Sequence, residues 1–356
     1  MPIFFNIKAS CISMLLLSSY HDTNLMRRLI EMYGNIKTLK PVTLSRREDM
    51  IADRERFRYL LDSLKRGFIT AVSFAGKHQI SLDPHDIAGL SLWTKSPELF
   101  VSLFSASERE YYFGCYRTAE KWRLELQVSV TGLGGSYLEP GIPAPETVLN
   151  SLEVLTKESP FPAENIIWRF DPIVVTDDFP PSFWIDRYSS ILEDFTRIGV
   201  KACIFSFMNS YASAGASGLL SRFRAADIPE PAEFSPPDPH PGSLKSRDGY
   251  AHSRHRQIIT YISEAAEQAG VTLYCCRDSY DRENQKLSDF PELNNIKRAA
   301  CTSAERYMDM WGVPVTKAKF SGRTHHCGCT NSRDGGRIDV FCGRCLYCYA
   351  DRQFPF

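Results

Sequence analysis

The sequence predicts an α/β protein built as a TIM-like parallel barrel or partial barrel, and three observations predict it. Short, mostly apolar runs alternate with amphipathic stretches of helical length through most of the 356 residues, the pattern of a parallel sheet covered by helices. No G-x-G-x-x-G opens a helix and no P-loop occurs, which argues against a doubly wound nucleotide-binding sheet. Polar residues follow most of the candidate strands, and in a barrel those strand ends share one face.

Residues 1–39 read as an N-terminal extension. Its apolar run at Met14–Leu17 is too short to span a bilayer and no small-residue cleavage site follows, so the expected location is cytoplasmic. The candidate strands are Lys40–Leu44, Leu90–Trp93, Leu124–Val130, Ile166–Phe170, Ala202–Phe207, Val271–Cys275 and Ile338–Phe341. Helical patterns cover Met50–Lys65, Pro145–Thr156, Ser182–Ile198, Arg254–Ala269 and Asn294–Met310. In the third, Trp184, Tyr188, Ile191, Leu192 and Phe195 form one stripe, with Ser182 placed as the N-cap. Six prolines between Pro229 and Pro241, followed by Gly242 and a charged run to Arg256, predict a long loop. The whole of 40–350 is expected to form one domain.

Composition narrows the function. Lys plus Arg equals Asp plus Glu at 42 each, so no net field draws a polyanion and charge gives no support for a nucleic-acid partner. With 43% hydrophobic and 24% charged residues the chain is globular rather than disordered, and no membrane partner is expected. Cysteine stands out: of eleven, five (Cys327, Cys329, Cys342, Cys345 and Cys348) fall in the last thirty residues. Such bunching in a long chain reads as metal ligation in a reducing compartment.

The catalytic candidates come from the strand ends. Arg46, Arg47 and Asp49 follow the first strand, Lys95 the second and Asp171 the fourth, with Arg169 inside the apolar run Ile166–Phe170. A buried Arg169 needs a carboxylate, and Asp171, two residues on, lies on the same side of a strand. In the tail, Cys342, Cys345 and Cys348 have the spacing C-x2-C-x2-C, which lets three thiolates each meet a different iron of a [4Fe-4S] cluster. Gly343 permits the tight turn this needs. Zinc is the alternative metal, with Cys327, Cys329, Cys342 and Cys345 as a four-thiolate site that leaves Cys348 over.

Cys327–Gly328–Cys329, Ser332, Asp334–Gly335 and the ending Cys345–Leu346–Tyr347–Cys348–Tyr349–Ala350 carry a family resemblance. So do Ser45–Asp49, Leu92–Pro97, Val128–Gly132, Leu138–Pro140, Ile167–Pro172 and Ile204–Phe207, in that order. Together they resemble an uncharacterised prokaryotic domain-of-unknown-function family with a radical-SAM-like cysteine cluster at its C-terminus, distantly similar to spore photoproduct lyase. The likeness runs from about residue 40 to 350. It implies a [4Fe-4S] cluster on Cys342, Cys345 and Cys348, S-adenosylmethionine on the fourth iron, Tyr347 near the adenine, and an electron donor as partner. A lyase or oxidoreductase of unknown substrate would follow.

Two departures stand beside it. The usual radical SAM spacing is C-x3-C-x2-C, one residue longer, and the usual motif follows the first barrel strand instead of the last. A circularly permuted radical SAM barrel reconciles the second. The first leaves a closed cluster with Cys327 or Cys329 as fourth ligand, in an electron-transfer or non-catalytic protein, and a zinc-stabilised barrel also remains.

Overall fold

The computed structural model describes residues 38–44, 48–73, 75–118, 121–208, 244–276, 295–318, 328–337 and 345–348. Eight parallel strands form its centre: β1 (Lys40–Thr43), β4 (Ile87–Thr94), β7 (Leu124–Ser129), β8 (Ile166–Ile173), β9 (Ala202–Phe207), β10 (Thr272–Cys275), β11 (Lys297–Arg298) and β12 (Arg333–Asp334). Two small antiparallel pairs are added, β2 (Phe68–Ser73) with β3 (Gly76–Ser81), and β5 (Arg117–Thr118) with β6 (Lys121–Trp122). The main sheet runs β11-β10-β9-β8-β7-β4-β1-β12, every pairing parallel. Successive strands are neighbours and the last lies against the first. This is TIM order, but among the described residues no ladder joins β11 to β12 and the sheet does not close. Where it stays open, Thr330 N–H donates to Thr302 O at 2.8 Å and the Thr302 hydroxyl donates to Thr330 O at 3.3 Å.

The helices are α1 (Arg54–Arg66), α2 (Glu98–Ser105), α3 (Glu108–Phe113), α4 (Pro145–Glu158), α5 (Pro181–Ile198), α6 (Leu244–Gln268) and α7 (Ala304–Trp311). Among the described residues, none is long and apolar enough to cross a membrane. α1 shows the local logic at both ends. The Asp53 side chain accepts from the backbone of Glu55 and Arg56, and Gly67 closes the helix at φ 76°. On α5 the predicted stripe packs on β8: Trp168 stacks on Tyr188 and Phe195 with ring centroids 4.9 and 4.8 Å apart. Trp184 meets Phe170 edge-on. Since Trp168 and Phe170 face the helix layer, alternation sends Arg169 and Asp171 to the other face of the sheet.

α7 has a different place. Tyr307, Met308 and Trp311 form a separate apolar cluster with Ala88, Val313 and Val315, next to Leu39, at the N-terminal ends of β1 and β4. A Cβ on Gly89 of β4 would lie 2.5 Å from the Trp311 ring, so only glycine lets the helix seat this deeply. The short helix plugs the base of the partial barrel.

Several sequence expectations need correction. Ser182 is not the N-cap: Pro180 holds that position and Pro181 starts the helix, its missing N–H being one the first turn leaves unpaired anyway. α6 begins at Leu244, ten residues before the expected Arg254, so part of the charged run taken as loop is helical. The helix expected over Asn294–Met310 is instead β11 followed by α7, which starts only after Ser303 caps Arg306 N–H. β2, β3, β5, β6, β12, α2 and α3 have no counterpart among the expected elements. The strand expected at Ile338–Phe341, the loop at Pro229–Gly242 and residues 1–37 lie outside the described residues.

Candidate functional site

Reading alternate residues along the strands gives the inner face. β4 contributes Ser91 and Trp93, with Lys95 just beyond its end; β7 contributes Glu125 and Gln127; β8 contributes Ile167, Arg169 and Asp171. Register places Ser91 opposite Glu125, Trp93 opposite Gln127, Gln127 opposite Ile167, and Arg169 opposite Ile204. The inner face is therefore largely polar, and its side chains connect in tiers.

The lowest tier centres on Glu125, fully buried. It accepts from Arg306 Nε at 2.6 Å, Tyr307 OH at 2.9 Å, Ser91 Oγ at 3.0 Å and Gln127 Nε2 at 2.6 Å. Two of these donors belong to α7, so the plug is anchored by charge as well as by packing. In the middle tier, Gln127 Oε1 accepts from Arg169 Nη1 at 2.8 Å and its amide nitrogen donates to Cys301 O at 2.5 Å. Arg169 also pairs with Asp171 and lies over the Trp93 ring, 4.6 Å from its centroid. Burial alone would lower the Arg169 pKa, but Asp171 and the nearby Cys301 and Cys276 hold it well above the ordinary value, so the guanidinium stays charged.

The upper tier lies where β4 and β7 end. Lys95 Nζ donates to Glu139 Oε1 at 2.8 Å, the Thr131 hydroxyl donates to the same oxygen at 3.2 Å, and Tyr347 OH donates to it as well. Burial opposes the Lys95 charge, yet Glu139 and Cys345 raise its pKa. Burial, Glu139 and Cys345 all push the Tyr347 phenol up, so it remains a donor. Tyr347 thus fastens the tail to the barrel, helped by Leu346 N–H on Leu138 O at 2.9 Å. Cys345 and Cys348, both partly exposed, are drawn into a turn by Cys348 N–H on Cys345 O at 3.3 Å.

The structure brings Lys95, Arg169, Asp171, Tyr347 and Cys345 to one end of the sheet, with Cys348 in the same turn. Asp49 has a supporting place: its Oδ2 accepts from Thr94 Oγ1 at 2.9 Å and from Lys95 N–H at 3.0 Å, fixing the backbone that carries Lys95. Tyr347 spends its hydroxyl on Glu139. Cys329 lies with Cys301, whose N–H donates to Cys329 Sγ at 3.2 Å. Arg46, Arg47, Cys327 and Cys342 lie outside the described residues. Among the described residues, no group of three or more His, Cys, Asp or Glu is arranged to hold a metal.

Sequence reasoning gave no site role to Glu125, Gln127, Glu139 or Cys301. One signal was present for two of them: Leu124-Glu125-Leu126-Gln127-Val128-Ser129 alternates strictly, so one face of β7 had to be polar. Glu139 sits in the resemblance block Leu138–Pro140, but nothing in the sequence shows that it reaches the site from a turn after β7.

The family described as a domain of unknown function, DUF1848, matches residues 42–350. The chain belongs to the DUF1848 family. The DUF1848 unit starts inside β1 and ends two residues past Cys348, so barrel and cysteine tail are parts of one family domain. No curated protein matches the chain. Among solved structures, this DUF1848 protein is similar to the carboxyl transferase domain from Rhizobium etli pyruvate carboxylase, at 11% identity and a TM-score of 0.25. That alignment covers 77% of this chain and 43% of the other.

Proposed function

We propose that this DUF1848 protein is an iron–sulfur protein of radical SAM character, with Cys342, Cys345 and Cys348 holding a [4Fe-4S] cluster over the C-terminal ends of the strands. The observation that carries the reading is the docking of the Cys345–Cys348 turn. Tyr347 and Leu346 fix it on Glu139 and Leu138, with Cys345 beside Lys95 and near the end of the inner face that bears Arg169 and Asp171.

The donor set fits such a cluster. Two thiols three positions apart occupy a tight, partly exposed turn, soft thiolates suit iron–sulfur centres, and the third member of the spacing is Cys342. When bound, the cluster supplies one electron for the reductive cleavage of S-adenosylmethionine. The chain's residues supply the rest. Lys95 offsets the negative charge of the ligating thiolates. Arg169, oriented by Gln127 and stacked on Trp93, binds an anionic or carbonyl oxygen of the substrate, while Asp171 offers a proton acceptor beside it. Tyr347 and Glu139 keep the turn shut against the barrel and limit water.

Anaerobic purification followed by iron, sulfide and zinc analysis tests the metal. The expected result is about four irons and four sulfides per chain, lost in Cys345→Ala and kept in Cys329→Ala. The paramagnetic resonance spectrum of the reduced cluster should change on adding S-adenosylmethionine. Stoichiometric zinc without iron, or a spectrum unmoved by S-adenosylmethionine, overturns the proposal.

A further inference from the structure

Three cysteines far apart in the chain meet beside the open edge of the sheet. Cys276 follows β10 directly, Cys301 follows β11 by three residues, and Cys329 precedes β12 by four. Cys301 is the centre: its N–H donates to Cys329 Sγ at 3.2 Å, and the thiols of Cys276 and Cys329 lie near enough to act on its ionisation. All three are thiols and none is in a disulfide.

The backbone fixes this meeting. The Thr302–Thr330 hydrogen bonds run the two segments side by side where β11 and β12 have no ladder. Gly328 permits the approach, since a Cβ there would lie 2.9 Å from Ala299 O. Cys329 is thereby held opposite Cys301, as cross-strand neighbours are in a sheet. Its other side borders a cavity of about 1070 Å³, where Glu164, Glu305 and Asp309 are outnumbered by Lys121, Arg306, Lys297, Arg298 and Lys317. The last three are exposed cations, and the volume suits a small organic molecule.

We propose that Cys301 and Cys329 form a redox-active dithiol that exchanges with a low-molecular-weight disulfide bearing carboxylates, admitted through this cavity. The Cys329 sulfur attacks one sulfur of the incoming disulfide. The old S–S bond breaks, and the departing thiol takes the bonding pair and the proton Cys329 gave up. The Cys301 sulfur then attacks Cys329, and a second thiol leaves with the proton from Cys301. The protein gives up two electrons and two protons; one disulfide becomes two thiols. The Cys301 backbone nitrogen already lies 3.2 Å from Cys329 Sγ, so side-chain rotation is the movement that would bring the two sulfurs to a bond length of about 2.05 Å. The new bond would staple the edge that backbone pairing leaves open.

The test uses the full chain, fully reduced, treated anaerobically with oxidised glutathione, then alkylated with iodoacetamide and digested without reduction. Mass spectrometry should show two fewer alkylated thiols and a peptide pair joined through Cys301 and Cys329. Cys301→Ser should stop at a mixed disulfide on Cys329, and Cys329→Ser should give neither product. The uncharged 2-hydroxyethyl disulfide should react several-fold more slowly, and Lys297→Gln with Arg298→Gln should remove that difference. Modification of the exposed Cys115 while Cys301 and Cys329 both remain alkylated overturns the dithiol. Equal rates for both disulfides overturn the carboxylate preference. Iron is measured on the same samples: loss of iron in Cys329→Ser would assign that sulfur to a cluster and also overturn the dithiol, whereas iron kept with no cross-link overturns the dithiol and leaves the cluster reading standing.

Discussion

Replacing Glu125 by Gln keeps the shape of the lowest tier and removes its charge. Glu125 has no solvent exposure and takes four donors, so the amide can accept from only some of them and must aim its own N–H groups at the others. The Arg306 guanidinium then loses its counter-charge, keeping only the Ala300 and Cys301 carbonyls at 3.1 and 3.2 Å. Breaking a buried ion pair by removing one partner costs about 3–5 kcal/mol. Because the Arg306 side chain is 15% exposed, water recovers part of that, and the expectation is the lower end, about 3 kcal/mol. For a domain of this size that lowers the melting temperature by roughly 4–5 °C. Urea unfolding followed by circular dichroism measures it, with an unchanged denaturant slope showing that the same surface unfolds. In a double-mutant cycle with Arg306→Met, the pair should show a coupling of about 1–3 kcal/mol. A single-variant cost under about 1 kcal/mol, or zero coupling, would refute the view that this charge pair anchors the plug.

Gly89→Ala should destabilise by about 1–3 kcal/mol, because the new methyl meets Trp311 at 2.5 Å and the Arg123 carbonyl at 2.7 Å; a thermal melt equal to the parent's would show that α7 can retreat at no cost. On the outer layer, hydrogen bonds from Lys157 and Arg197 hold the Glu153 carboxyl down at about 2 against an ordinary 4.5. A depressed acid stabilises the fold above its unfolded value and loses that contribution as pH falls through the folded one. The stability difference between parent and Glu153→Gln should therefore be constant above pH 4.5 and shrink towards pH 2. A difference independent of pH across that window would contradict the pairing.

Of the strands that sequence located best, β8 and β9 are rich in β-branched and aromatic side chains, and β7 shows strict apolar–polar alternation. Arg169 and Asp171 were readable as a pair because a strand puts residues two apart on one side. β11 was not readable: two exposed charged residues carry no periodicity, and its place comes from pairing with β10. α7 was run together with β11 because Ile296, Ala300 and Ala304 keep a helical spacing through the strand. The site is only half local in sequence. Tyr347 touches Glu139 across 208 positions and Cys329 touches Cys301 across 28, and no spacing rule reaches contacts set by tertiary packing.

The place of β12 has a consequence for how the chain is made. Thr43 donates to the carbonyl of Arg333, 290 residues downstream, and this is the side of β1 that β4 does not cover. On a translating ribosome, strands β1 to β10 can associate in order of synthesis while that side of β1 waits, its amides and carbonyls open to any passing strand. Only the arrival of residues 333–334 closes it, and the Cys345–Cys348 turn comes still later to reach Leu138 and Glu139, which have been in place since early in synthesis. Contacts of such long range make assembly slow, and they leave the earliest strand in need of shielding for nearly the whole time the protein is being made.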